Sequence, residues 1–188
     1  QLDKLGFLMQ AMIKTSRLET GVISLEQRQQ PVYDTLAAAL GGILLNAEKK
    51  KIDVQVECPE HLDARHDRKW TSEALFNILD NAVKYTPAGG AVTLRAVGYE
   101  LFCRVDVTDT GPGIPERFQR SVFQPFFRVD KSRSREYGGV GLGLSLVWEI
   151  SNLHGGCVRV EESSDKGTTI AVELPTGAET ESSGADIS

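Results

Sequence analysis

An α+β two-layer sandwich, with a mixed sheet covered by helices on one face, is the fold class this sequence predicts. Three observations carry that expectation. Helical periodicities over 31–51, 70–85 and 142–154 are interleaved with short alternating strand patterns. The strands come mostly as adjacent pairs, which makes hairpins instead of the separated strands of a doubly wound parallel sheet. With 40% hydrophobic and 25% charged residues among 188, the chain can fill one ordinary core and carry attached segments besides.

Taken in order, the elements begin with Leu2, Leu5, Met9 and Met12, whose alternating three-and-four spacing is that of a helix seam. Gly21 is its expected stop. The spacing alone fits a core-packed amphipathic helix as well as half of a dimerisation hairpin. A short extended piece is expected at 22–26. Pro31 then opens a helical pattern through Leu36, Leu40, Ile43 and Leu44, ending in the solvated charge run 48–51. Ile52, Val54 and Val56 alternate with polar residues as in a half-buried strand, which Pro59 terminates, and a turn-rich link follows.

The helical pattern over 70–85 buries Leu75, Ile78, Leu79 and Ala82, while Asn77, Asn81 and Lys84 share another face. Pro87, Gly89 and Gly90 break it. Val92, Leu94 and Ala96, then Cys103, Val105 and Val107, give two strands of a hairpin turning at 98–100. The stretch 112–139 is rich in proline, phenylalanine and glycine, and its second half is expected to be a mobile lid. A helix over 142–154 and strands at 158–160 and 169–174, turning around Gly167, complete the fold, and the small polar tail from Thr176 is expected to be disordered.

Bulk chemistry narrows the function classes. A formal net charge of -5 with scattered basic residues argues against nucleic acid as a partner. Cys58, Cys103 and Cys157 fall in no metal-ligand spacing and read as buried apolar fillers. No apolar run of about 18 residues is present, so no membrane contact by this chain is expected; a cytoplasmic setting fits this domain, and a membrane anchor elsewhere in a parent protein stays open.

Three patterns carry chemistry. Cys103, Val105, Val107 and Asp109 point to one face of a strand, the apolar one, and a carboxylate at the end of a buried face needs hydrogen-bond donors. Gly111 and Gly113 follow at once and let the backbone approach a flat ligand, so the pair marks a base pocket. An aspartate accepting from an exocyclic amine selects adenine over guanine, since the mismatch costs roughly 1 to 3 kcal/mol per buried group. On the 70–85 helix, Asn77, Asn81 and Lys84 bring together two amide oxygens and an ammonium, a set that suits Mg²⁺ carried by a nucleotide. Finally, Gly139-Val140-Gly141-Leu142-Gly143-Leu144 leads straight into a helix whose free backbone N–H groups can hold phosphate. Singly these read equally as a strand turn, the wet side of a helix and a flexible linker; in this order they specify one another.

N-I-L-D-N-A-V-K-Y-T-P at 77–87 resembles the N box of sensor histidine kinases, D-T-G-P-G-I-P at 109–115 their first glycine box, F-Q-P-F-F-R-V-D at 123–130 the phenylalanine box, and G-V-G-L-G-L-S at 139–145 the second glycine box. T-S-R-L-E at 15–19 is similar to the end of the second helix of the kinase dimerisation hairpin, which favours the hairpin reading. The resemblance implies a histidine kinase ATPase fold over 22–175, preceded by part of the dimerisation helix over 1–21 and followed by the tail 176–188.

What the resemblance implies about function is specific. ATP would bind with Asp109 reading the adenine amine, Tyr85 and Ile114 flanking the base, and Thr168 or Thr169 reinforcing the contact through water. Asn77 and Asn81 would hold Mg²⁺. Lys84, Arg128 and Lys131, with the backbone from Gly139 to Leu144, would neutralise phosphate charge, and Phe126 and Phe127 would anchor the lid. Asn77, Lys84 and Arg128 are the implied catalytic residues. The γ-phosphate would pass to a histidine on the chain's own phosphoacceptor hairpin, outside these 188 residues, and on to a response regulator, in a homodimeric parent protein. His61, His66 and His154 lie in no histidine-box helix and are expected in surface or packing roles. In the wider group that includes gyrase, the first N-box position resembles a water-activating glutamate; here it is Asn77, a poor base, which favours transfer over hydrolysis. The competing readings are a non-catalytic nucleotide-binding or docking module and a serine kinase or ATPase of the same superfamily.

Overall fold

The computed structural model describes residues 24–129 and 141–177, together with Met9, Met12 and Ser16, which are helical. The expectations for the rest of the first helix, for most of the lid in the second half of 112–139 and for the tail from 178 lie outside the described residues.

Strand β1 (Arg28–Pro31) leads into helices α1 (Val32–Gly41) and α2 (Leu44–Lys49), then β2 (Asp53–Glu57) and β3 (Asp63–His66). Helix α3 (Arg68–Tyr85) follows, then the hairpin of β4 (Ala91–Gly98) and β5 (Phe102–Asp109), two 3-10 turns (Glu116–Phe118 and Ser121–Phe123), α4 (Gly143–Leu153), and a second hairpin of β6 (Cys157–Ser164) and β7 (Gly167–Pro175). The main sheet runs β2-β4-β5-β7-β6, and β1 pairs with β3 in a separate two-stranded sheet. All neighbours in the main sheet are antiparallel except β2 and β4. That pair is parallel because the chain crosses over through α3 before returning, as a parallel connection requires. The expected mixed sheet under helices is therefore what the residues build.

Between sheet and helices lies one core. Leu75, Ile78 and Leu79 of α3 and Leu146, Val147 and Ile150 of α4 pack on Val92 and Leu94, Val105 and Val107, and Ile170 and Val172 of the three central strands. Truncating one such leucine costs about 2 to 5 kcal/mol. Helix α3 starts sharply because Asp67 accepts the Trp70 N–H at 3.0 Å as its N-cap. The same carboxylate accepts the Glu26 N–H at 2.8 Å, tying the segment before β1 to the start of α3.

Several local expectations are corrected. The helical pattern from Pro31 breaks into two helices at Gly42 and Ile43, where two consecutive glycines, Gly41 and Gly42, weaken the helix and Ile43 is fully buried in the turn. The link after Pro59 contains β3, whose outward Asp63 and Arg65 and inward Ala64 and His66 alternate without any β-branched residue to announce a strand. The extended piece expected at 22–26 becomes a strand only at Arg28. Cys103 is the buried filler expected, its thiol pushed up to about 11 by burial, whereas Cys58 is half-buried and Cys157 exposed. His66, expected in a surface or packing role, is buried in β3, bonded to Thr35 Oγ1 at 2.6 Å.

Candidate functional site

The strand end marked out by the sequence is where β5 delivers a carboxylate to the helix side. Asp109 stands opposite Thr168 of β7, on the face that buries Val105 and Val107. Its Oδ1 accepts the Gly111 N–H at 2.8 Å, and the Thr168 backbone N–H donates to it as well. Burial raises its pKa, and those two backbone donors oppose the rise. No ion pair to a described residue balances it.

The glycine turn that follows is fastened to the β6–β7 turn. Gly113 adopts φ 80°, and a Cβ there would stand 1.9 Å from the Ser164 carbonyl oxygen, so only glycine permits the approach. The Ile114 N–H donates to Ser163 Oγ at 2.7 Å, and that hydroxyl is 2.8 Å from Thr168 Oγ1. Thr168 is thus beside Asp109, while Thr169 pairs with Thr108 Oγ1 at 2.9 Å on the opposite face of the sheet. Of the two threonines, the site can use the first.

On α3, Asn77, Asn81 and Lys84 share a face as their spacing requires. Asn77 donates its amide N–H to the Glu73 carbonyl at 2.8 Å. Its Oδ1 faces the start of α4, where a Cβ on Gly143 would stand 3.0 Å away. Lys84 Nζ pairs with Asp80 Oδ2 at 2.6 Å, one turn back. Tyr85, at the end of the helix, is exposed, and its carbonyl lies over Gly111.

Helix α4 begins without a side-chain cap at Leu142, so its first backbone N–H groups keep their donors, and its dipole points a positive end at the site. Leu142 is buried and Leu144 packs on the core, which anchors this end while the main chain faces outward. The Phe126 N–H donates to Gly141 O at 2.9 Å, and Gly141 takes φ 81° with a would-be Cβ 2.8 Å from Phe127 O. Phe127 packs its ring on Phe118 with centroids 5.6 Å apart, whereas Phe126 is exposed at φ 62°. Phe127 is therefore the better anchor of the two. Arg128 is half-buried beside them. Lys131, Gly139 and Val140 lie outside the described residues.

The structure thus gathers Asp109, Gly111, Gly113, Ile114 and Thr168 around one turn, and brings Asn77 to the Gly141–Gly143 end of α4. It also adds residues the sequence reading missed. Ser163 links the glycine turn to Thr168, and no pattern in the sequence pointed to it. Asp80 holds Lys84, and its signal was available: an acid four residues before a lysine on one helix.

The site thus combines a central strand that ends in a donor-lined acid with an uncapped helix start that lies beside Asn77. Residues 66–178 match the model of the Histidine kinase-, DNA gyrase B-, and HSP90-like ATPase family, and the chain belongs to that family. The sensor-like histidine kinase SenX3 of Mycobacterium tuberculosis is 33% identical over 176 residues, which cover 93% of this chain and 43% of that protein. The chain spans less than half the length of such curated relatives. Among solved structures, the catalytic domain of histidine kinase ThkA superposes with TM-score 0.71 at 27% identity, covering 81% of this chain and 97% of that one. Full-length ShkA in complex with AMPPNP gives TM-score 0.80 at 27% identity over 92% of this chain and 36% of its own. The fold is that of a histidine kinase catalytic ATPase domain.

Proposed function

We propose that this chain is the ATP-binding catalytic domain of a sensor histidine kinase, which delivers the γ-phosphate of ATP to a histidine on a hairpin domain of the same parent protein for relay to a response regulator. The observation that carries the reading is Asp109, a half-buried carboxylate at the end of a buried strand face, held by backbone donors and balanced by no described cation. Such a group is costly unless a ligand completes its hydrogen bonding, and an adenine amine does so.

Each residue then has a task. Asp109 accepts from the amine, Thr168 supports it through water, and Ile114 and Tyr85 lie along the base. The first turn of α4 and the segment from Gly139 present N–H groups to the phosphates, with Lys84, Arg128 and Lys131 supplying positive charge. Asn77 fits a Mg²⁺ role because its N–H is spent on Glu73 and its oxygen is turned toward the helix start, with Asn81 one turn on. Asn77 and Asn81 would hold Mg²⁺ there, and the ion would supply positive charge against the phosphates. Asn77 is a poor base for water, which leaves the domain the alignment of ATP for an incoming nucleophile. A homodimeric parent and a cytoplasmic setting accord with this reading; among the described residues, no helix is long and apolar enough to cross a membrane.

The test is phosphotransfer in trans. Mixed with labelled ATP, Mg²⁺ and a phosphoacceptor hairpin from a related kinase or the parent protein, the chain is expected to label the hairpin in an acid-labile, base-stable bond. Binding of ATP with no transfer to either hairpin would move the docking-module reading to the front.

A further inference from the structure

The last turn of α3 is held by a residue from outside the nucleotide site. Lys50, just past the end of α2, sends its ammonium to three carbonyl oxygens: Val83 at 2.7 Å, Lys84 at 2.9 Å and Thr86 at 2.6 Å. An ammonium carries three donors, and the three oxygens match them. The need for such a partner follows from the sequence. A helix leaves its last carbonyls without intrahelical donors, and the residue four after Val83 is Pro87, which has no N–H to give. The negative end of the helix dipole adds to the attraction.

The same residue also holds the chain after the helix. The Lys50 carbonyl accepts the Gly89 N–H at 3.0 Å, so both its main chain and its side chain grip the 86–90 turn. From there Asp53 N–H reaches Gly90 O at 2.9 Å, and Thr110 N–H reaches Ala91 O at 3.1 Å, which joins the turn to the strand end bearing Asp109. Tyr85 sits between two residues whose carbonyls Lys50 binds. Its own carbonyl lies against Gly111, where a Cβ would approach to 3.4 Å.

We propose that Lys50 is a positioning residue of the nucleotide site: it fixes Lys84 and Tyr85 relative to the Asp109–Gly111 turn without touching the nucleotide. This rests on the reading of Lys84 and Tyr85 as nucleotide residues. Lysine suits the task better than arginine because a compact point charge can serve three converging oxygens, where a planar fork cannot.

A double-mutant cycle on the whole chain tests it, with ATP titrated in the presence of Mg²⁺ and thermal midpoints recorded in parallel. Lys50→Met is expected to weaken ATP binding by roughly tenfold, the scale of one charge-assisted hydrogen bond. In a Lys84→Ala background the same change should cost less than about threefold, because the group it places is already gone. Lys49→Met, at the exposed neighbour, should leave affinity unaltered. If Lys50→Met does not fold, Lys50→Gln, which keeps two donors on a stem one carbon shorter, takes its place in the cycle. Wild-type affinity in the Lys50 variant, or losses that multiply fully, would reduce Lys50 to a fold-stabilising residue. Failure of the wild-type chain to bind ATP would instead strike the nucleotide reading itself, and this inference with it.

Discussion

Strand β5 carries two aspartates three residues apart, and the sheet puts them in opposite worlds. Asp106 faces the open side, where Arg104 Nε meets it at 2.7 Å. Around it, Arg104 also reaches Glu161 at 3.3 Å, and Arg159 reaches Glu161 at 2.6 Å and Glu173 at 2.8 Å. Asp109 faces the helix side and has backbone N–H groups for company but no described cation. The helix side also buries two imidazoles, held by neutral partners with the Asp67 carboxylate acting on both. His66 bonds Thr35 and the Ala64 carbonyl, and His154 accepts the Asp67 N–H at 3.1 Å and meets the Ile150 carbonyl at 2.8 Å. Charges that answer one another hold a surface together, whereas Asp109, half-buried and met by backbone N–H groups, keeps accepting capacity for a further donor.

Breaking the contrast at Asp109 should have the largest effect. Asp109→Asn keeps the shape and removes one accepting edge, so ATP affinity should fall about a hundredfold or more with the thermal midpoint preserved. Titration of the variant checks this, and unaltered affinity would remove the adenine assignment.

The next effect is on acid stability. Burial lowers the pKa of both His66 and His154 below the ordinary 6.5, more strongly than their backbone hydrogen bonds raise it. The unfolded chain then takes up protons before the folded one does. Stability is therefore full above pH 6.5 and declines as pH falls through the interval down to the folded pKa values, by up to about 1.4 kcal/mol per pH unit for each histidine. Denaturant midpoints between pH 8 and pH 5 would show it, and a flat profile across that range would mean that the two rings do not enter the folded state neutral.

Smallest of all should be the open side. Asp106→Asn removes one partner from an ion network in contact with solvent, worth about 1 kcal/mol or less, and ATP affinity should stay within about twofold of wild type. A larger loss of affinity would show that the open face communicates with the site and that the contrast between the faces is too simple.

How much of this was legible depends on where the information resides. The hairpins, α3 and α4 announce themselves through periodicity because each buries a single stripe against one core. So does Asp109, whose parity with Cys103, Val105 and Val107 places it on the covered face. Strand β3 stayed hidden because a four-residue strand with Asp63, Ala64, Arg65 and His66 has no strand composition, and it exists only through pairing with β1. The break between α1 and α2 is a tertiary matter, set where Ile43 turns into the core. Within the site, the sequence reading left Thr168 and Thr169 equivalent, since only the register with Asp109 and Thr108 separates them. Ser163 and Lys50 act from β6 and from just beyond α2, through contacts 49 and 33–36 residues away in the chain, and no local pattern encodes a partner at that distance.

The most direct test of the central claim is calorimetric titration of the folded chain with ATP and with GTP, each with and without Mg²⁺. The account predicts binding of ATP that strengthens with Mg²⁺ and is at least about tenfold tighter than GTP, as one mispaired buried acceptor demands. Equal affinity for the two nucleotides, or none for ATP, would contradict it.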